Sequence, residues 1–207
     1  MDDVWTMVHA ERAALVEDLR GVDAARWDTP SACAGWSVHD VVAHLVDSAR
    51  TTKLGFVAAL VRARFDFDRL NERGVARERG AAPAETLERL ARVVTRTGSP
   101  PAPLDTRLVE EVVHGEDVRR PLGLAHTYPI DAVVRALRLQ VRTPASFGGA
   151  KERMAPLRLR ATDADVVIGD GPEVRGTALA LLLAVSGRPV RPDELAGPGL
   201  AALVAGS

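Results

Sequence analysis

Five histidines (His9, His39, His44, His114 and His126), a single cysteine and scattered carboxylates are the residues of this 207-residue chain that could do metal, acid–base or nucleophilic chemistry. A lone imidazole usually does no more than satisfy a core or a surface, so weight falls on histidines whose spacing supplies partners. His114 follows Glu110 by four residues, which on a helix puts the two side chains on one face, about 40° apart. His44 sits at the edge of an apolar stripe, beside Val41 and Leu45, where it can point into a helical bundle. Glu-x-x-x-His on one helix plus a His from a facing helix is a three-donor set suited to a divalent cation. Zinc accepts imidazole and carboxylate, and three protein ligands leave a position for water or substrate. Glu111 is an alternative ligand, and Asp117 is a carboxylate that could orient His114.

Periodicity supplies an objection. Leu104, Leu108 and Val112 mark one core face, and Glu110, His114 and Asp117 fall away from it, as on a solvated polar face. His39, early in its helix, is expected to be exposed, and His9 and His126 have no evident partner. Cys33 precedes a helix N-terminus and could act there as a nucleophile, but no His is placed by the sequence to activate it. It is therefore read as packing. Gly169-Asp170-Gly171-Pro172 is a strand turn rather than a phosphate cradle, because its proline lacks an amide donor.

The elements that must position these residues are mostly helical. Trp5, Val8, Arg12, Leu15, Val16 and Leu19 recur at helical spacing before Gly21. Ser37 caps a second helix carrying Val38, Val41, Val42, Leu45 and Ala49, with Asp40 completing an imperfect capping box. That helix is expected to continue through Phe56 and Leu60 into the charged segment 64–78. Pro83 opens a third helix with Leu87, Leu90, Val93 and Val94. The prolines of 98–103 enforce a break, and a fourth helix runs from about Leu104 to Arg120, stopping at Pro121-Leu122-Gly123. Four helices with such connections suit an up-down bundle, and Ile130–Arg142 adds one more helix.

Beyond Gly148-Gly149 the period changes. Strands are expected at 157–162, 166–168 and 173–176, then an apolar helix from Ala178 to Ser186 and a last helix from Asp193 to Ala205, interrupted at Gly197-Pro198-Gly199. The fold class is mainly α with a small α+β part, divided into residues 1–145 and residues 146–207.

Composition narrows the function. Against 28 acidic residues stand 27 basic ones, of which only Lys53 and Lys151 are lysines, a bias that suits a GC-rich genome. A near-neutral balance argues against nucleic-acid binding by counterion release. One cysteine excludes an internal disulfide framework, thiolate-rich metal sites and a zinc-linked redox switch. The N-terminus lacks the features of a signal peptide, and the longest apolar run, Ala178 to Val185, is far short of the roughly 20 residues that span a bilayer. A soluble, cytoplasmic protein without membrane contact is expected.

The stretch Cys33-Ala34-Gly35-Trp36-Ser37-Val38-His39-Asp40-Val41-Val42-Ala43-His44-Leu45 resembles the opening signature of the mycothiol-dependent maleylpyruvate isomerase family, one of the DinB-like metal-binding four-helix bundles. Residues Glu110 to Arg120 resemble its second metal-binding helix, and Leu157 to Arg188 is similar to its small C-terminal domain. The resemblance implies a DinB-like bundle, residues 1–145, followed by the small domain, residues 146–207. It implies a divalent metal, usually zinc, held by His44, Glu110 and His114. It also implies a small thiol, mycothiol, as cofactor, with Arg188 helping to bind thiol or substrate. In this chemistry the metal-bound thiol ionises and attacks a small electrophilic substrate in a cleft between bundle and small domain. The thiol is returned by an isomerase and retained by an S-transferase. The alternative is a non-catalytic protein that binds a small molecule or partner, with a structural metal or none. Monomer and homodimer both remain open.

Overall fold

The structure is a computed structural model that describes residues 3–205. It divides into two compact units, Met1–Thr127 and Tyr128–Ser207.

The N-terminal unit is helical: α1 (Asp3–Arg20), α2 (Val38–Arg50), α3 (Lys53–Arg62), α4 (Phe67–Glu78), α5 (Pro83–Val93) and α6 (Thr106–Leu122), with a short 3-10 helix at Ala24–Asp28. The four bundle helices expected from periodicity are α1, α2, α5 and α6. Helix α2 packs on α5 and α6, and α1 packs on the same two, so the four close around one core. That core joins Leu15 and Leu19 of α1 to Val41, Val42, Leu45 and Val46 of α2, with Leu90 and Val118 from α5 and α6. Burying such side chains is worth about 1.5–3 kcal/mol each, which sets the bundle's shape.

Helix α2 does not continue past Arg50. Thr51 and Thr52 are both extended, and the Thr52 side chain accepts from Gly55 N–H to start α3 afresh. The threonines favour this because a β-branched hydroxyl residue is better as a cap than in a helix interior. At the other end, Ser37 Oγ accepts from Asp40 N–H and the Asp40 carboxylate accepts from Ser37 N–H, the full reciprocal box. Arg79 pairs with the same carboxylate. His39 is buried rather than exposed, at 3% relative exposure, because this capped first turn faces inward. Its ring stands edge-on to Trp27, and its Nε2 shares a 2.7 Å hydrogen bond with Thr86 Oγ1.

Helix α6 runs through Pro121 to Leu122 instead of stopping before it, and Gly123 closes it with φ 65°. Proline has no N–H to give the carbonyl four residues back. That carbonyl, of Asp117, instead accepts from Ala32 N–H at 3.3 Å, tying the loop before α2 to α6.

The C-terminal unit begins earlier than the expected boundary at 145/146. Helix α7 (Ile130–Gln140) belongs to it by packing against α9 (Ala178–Val185), whose residues are almost all buried. A short α8 (Lys151–Met154) leads into a mixed four-stranded sheet, β1 (Arg158–Ala161), β2 (Val167–Ile168), β3 (Glu173–Gly176) and β4 (Leu195–Ala196), in the order β2-β1-β3-β4. Strands β1 and β3 are parallel and the outer pairs antiparallel, with α9 against β1 and β3. The last helix is shorter than expected: Leu195-Ala196 pairs with β3, and only α10 (Leu200–Ala205) is helical. Glycine and proline at 197–199 end the strand before a helix can form. Among the described residues no helix is long and apolar enough to cross a membrane.

Two predictions follow from the buried polar contacts of the bundle. Burial alone would push the Asp40 carboxyl up, but the Ser37 hydrogen bonds and Arg79 more than offset it and hold it below its ordinary value. A depressed carboxyl stabilises the fold above its unfolded-state value and loses that contribution as pH falls through its folded value. Asp40→Ala is therefore expected to cost about 1 kcal/mol near pH 7, and the gap to wild type should shrink in acid, as read by urea unfolding at several pH values. Arg12 and Glu111 form a 2.7 Å pair with side chains 0% and 2% exposed. Arg12→Ala should cost about 3–5 kcal/mol by leaving a buried charge alone, and Arg12→Met with Glu111→Leu should recover most of it.

Candidate metal centre

Helix α6 is buried on its charged side as well as on its apolar side, because it lies against both α1 and α2. The solvated face expected for Glu110, His114 and Asp117 does not occur: their side chains are 17%, 15% and 0% exposed. Other buried charges of α6 are met by partners. Glu111 takes Arg12, Arg119 takes Asp18, and Glu116 takes Arg120.

His44 reaches this layer from α2. Its Nε2 lies 2.7 Å from Glu110 Oε1, and His114 Nε2 lies 4.0 Å from the same oxygen. One donor atom from each of His44, Glu110 and His114 lies within 4.8 Å of the other two. The two imidazoles stand at 73° with centroids 4.8 Å apart, and Trp36 covers His44 at 5.1 Å. Despite the short approach, Glu110 Oε1 is buried with no hydrogen-bond partner, and so is His44 Nδ1. A buried carboxylate oxygen on which the Nε2 atoms of two imidazoles converge is an arrangement that a cation would satisfy. The donor set, two imidazoles and one carboxylate, fits zinc.

The surroundings prepare these donors. Burial pushes the Glu110 carboxyl up, but His44, Arg107 and His114 outweigh it and hold it well below the ordinary carboxylate range. It is therefore ionised, the form that ligates. Arg107 Nη2 stands 3.7 Å from Glu110 Oε2, while its Nη1 donates to Ser48 Oγ on α2 at 2.6 Å. His114 Nδ1 lies 2.9 Å from Asp117 Oδ2. A carboxylate accepts, so Nδ1 donates and Nε2 is left as the basic nitrogen. For Glu111, the alternative ligand, burial pushes the carboxyl up, with the Arg12 charge offsetting only part of the rise. It is committed to that pair and lies outside the His44 group.

Other candidates fall elsewhere. His126 Nε2 pairs with Glu11 at 2.8 Å, and His9 packs beside Trp5. Cys33 does have a histidine neighbour. It forms a second group with His114 and Asp117 whose donor atoms lie within 4.8 Å of one another. No spacing in the chain signals this contact, since it comes from the loop that Asp117 holds through its main chain. Arg107 was equally silent in sequence. Arg188 lies in the C-terminal unit just past α9, where its guanidinium donates to the Ser186 carbonyl at 2.9 Å.

The fold and this cluster define a helical bundle with a histidine–carboxylate centre, joined to a small mixed-sheet unit. Residues 8–98 match the family described as Mycothiol maleylpyruvate isomerase N-terminal domain. That stretch includes His44 and ends before Glu110 and His114. Among solved structures, the chain is similar to the crystal structure of the mycothiol-dependent maleylpyruvate isomerase, with 16% identity, coverage of 95% of this chain and 92% of that one, and a TM-score of 0.67. A mutant of the mycothiol-dependent maleylpyruvate isomerase is similar over the same shares, at 14% identity and a TM-score of 0.61. These likenesses establish the fold. No curated protein matches the chain in sequence.

The Asp117 contact gives a test of the centre. Asp117→Asn is expected to weaken zinc binding by about 10–100-fold while leaving the far-UV circular dichroism unchanged, as measured by competition with a chromophoric chelator. Unchanged affinity would show that His114 needs no orienting partner.

Proposed function

We propose that the protein is a metal- and thiol-dependent enzyme, an isomerase or S-transferase acting on a small electrophilic substrate, with mycothiol as its thiol. The observation that carries this reading is the meeting of His44, Glu110 and His114 in one partly shielded cluster around a buried carboxylate oxygen. The family of residues 8–98 and the similar solved structures support the choice of thiol and reaction class.

A divalent metal held by His44, Glu110 and His114, zinc by its donor set, would supply a Lewis acid that keeps a bound thiol ionised near neutral pH. The chain's own residues do the rest. Asp117 fixes the His114 ring so that Nε2 faces Glu110. Arg107 and the imidazoles keep Glu110 ionised, and Trp36 shields His44 from bulk water. Arg188 is proposed to hold an anionic group of the thiol or the substrate, the role for which a guanidinium is suited.

Purified protein should carry near-stoichiometric zinc by elemental analysis, and His44→Ala and His114→Ala should each lose it without unfolding. Mycothiol should then bind, by calorimetry, to the zinc-loaded protein and not to either variant. Metal-free protein of unchanged fold, or metal retained in both variants, would overturn the reading.

A further inference from the structure

Away from the histidine cluster, the N-terminal unit contains an open cavity of about 380 Å³ lined by the end of α2, by α3 and by α4. That is the size of a small-molecule site. Helix α3 carries Leu54, Phe56, Val57, Leu60 and Val61, yet none of its residues is buried. Its inward stripe, Phe56, Ala59 and Arg62, one turn apart in succession, borders the cavity, with the Phe56 ring also beside Phe67 of α4. Across from them α4 contributes Leu70 and Arg73. An apolar helix that turns much of its inner face to a cavity gains more from folding there when an apolar ligand fills the space.

The charges are unequal as well. Two carboxylates line the cavity, Asp47 and Glu78, and both are already committed: Arg77 pairs with Asp47, and Arg50 meets Glu78 at 3.0 Å. Arg62 and Arg73 line the same cavity and meet no carboxylate among the described residues. The side-chain contact between them is a 2.9 Å bond from Arg73 Nη1 to the Arg62 carbonyl, which holds the two residues together without neutralising either. The turn that follows Arg62 is strained, with Arg64 and Phe65 both at positive φ (59° and 63°), a conformation that non-glycine residues rarely adopt.

We infer that this cavity is a binding site for a small organic anion with an apolar body. Its carboxylate or phosphate monoester meets the guanidinium groups of Arg62 and Arg73, and its apolar part packs on Phe56, Ala59 and Leu70. The site is separate from the His44–Glu110–His114 group and does not depend on the metal or thiol reading.

Three probes of one shape test it by calorimetry on the whole chain: 2-naphthoate, 2-naphthyl phosphate and the neutral 2-naphthalenemethanol. At least one anion should bind saturably and on the order of tenfold or more tighter than the alcohol, and the better of the two tells carboxylate from phosphate. Arg62→Gln with Arg73→Gln, both at exposed positions, should erase that preference. Ala59→Trp keeps both arginines and fills the cavity, and should abolish anion binding. His44→Ala should leave it unchanged, which keeps this result apart from loss of the metal centre. The inference fails if neither anion binds saturably, if the alcohol binds as tightly, or if the double arginine variant binds as wild type does. It also fails if Ala59→Trp still binds, since the anion would then sit on the outer surface.

Discussion

Helix α6 carries ionised side chains into the interior of the bundle, and the architecture of the N-terminal unit is organised around meeting them. An isolated buried charge costs several kcal/mol, so such a helix is tolerable only if each charge finds an opposite one with directed hydrogen bonds. Helix α1 supplies Arg12 for Glu111 and Asp18 for Arg119, and α2 supplies Ser48 to hold Arg107. Helices α1 and α2 thus flank α6 for electrostatic as well as apolar reasons. The apolar contacts give the helices their reason to pack, and the ion pairs fix their rotation about their own axes.

Against that background Glu110 stands out. Glu111, Glu116 and Asp117 each accept a hydrogen bond from a guanidinium or an imidazole, whereas Glu110 Oε1 accepts none. His44 Nε2 stands 2.7 Å from that oxygen and His114 Nε2 4.0 Å from it. A helix that satisfies its other carboxylates so closely leaves this one open at the point where two imidazoles converge. The exception has a chemical meaning that a count of charges would miss.

Much of the bundle was legible because the relevant signals are local. The apolar stripes of α1, α2, α5 and α6, the capping box of Ser37 and Asp40, and the prolines of the α5–α6 connection each act within a few residues. What failed was long-range. Periodicity reads a polar face as a wet face, and α6 defeats it because Arg12 waits 99 positions away to pair with Glu111. The break between α2 and α3 escaped notice because two threonines, rather than glycine or proline, make it. Strand β4 is two residues of helix-tolerant composition whose strand geometry comes entirely from pairing with β3. The Glu110–His114 spacing was visible, but whether it faced water or His44 depended on those same distant partners.

The contact between Asp117 and His114 decides which of two overlapping groups is the better cation site. His114 is common to the His44–Glu110 group and to the Cys33–Asp117 group. An imidazole has two nitrogens, and the 2.9 Å bond to Asp117 occupies Nδ1. A cation held through Nδ1 would displace that bond and leave a fully buried carboxylate to be satisfied anew. A cation held through Nε2 displaces nothing, and Nε2 is the nitrogen that faces Glu110. Asp117 therefore does two things from one position. Its side chain directs His114 toward Glu110 and His44. Its main-chain carbonyl, freed by Pro121, holds the loop that carries Cys33 beside the centre. On this arrangement the sulfur of Cys33 neighbours the site without being required as a ligand.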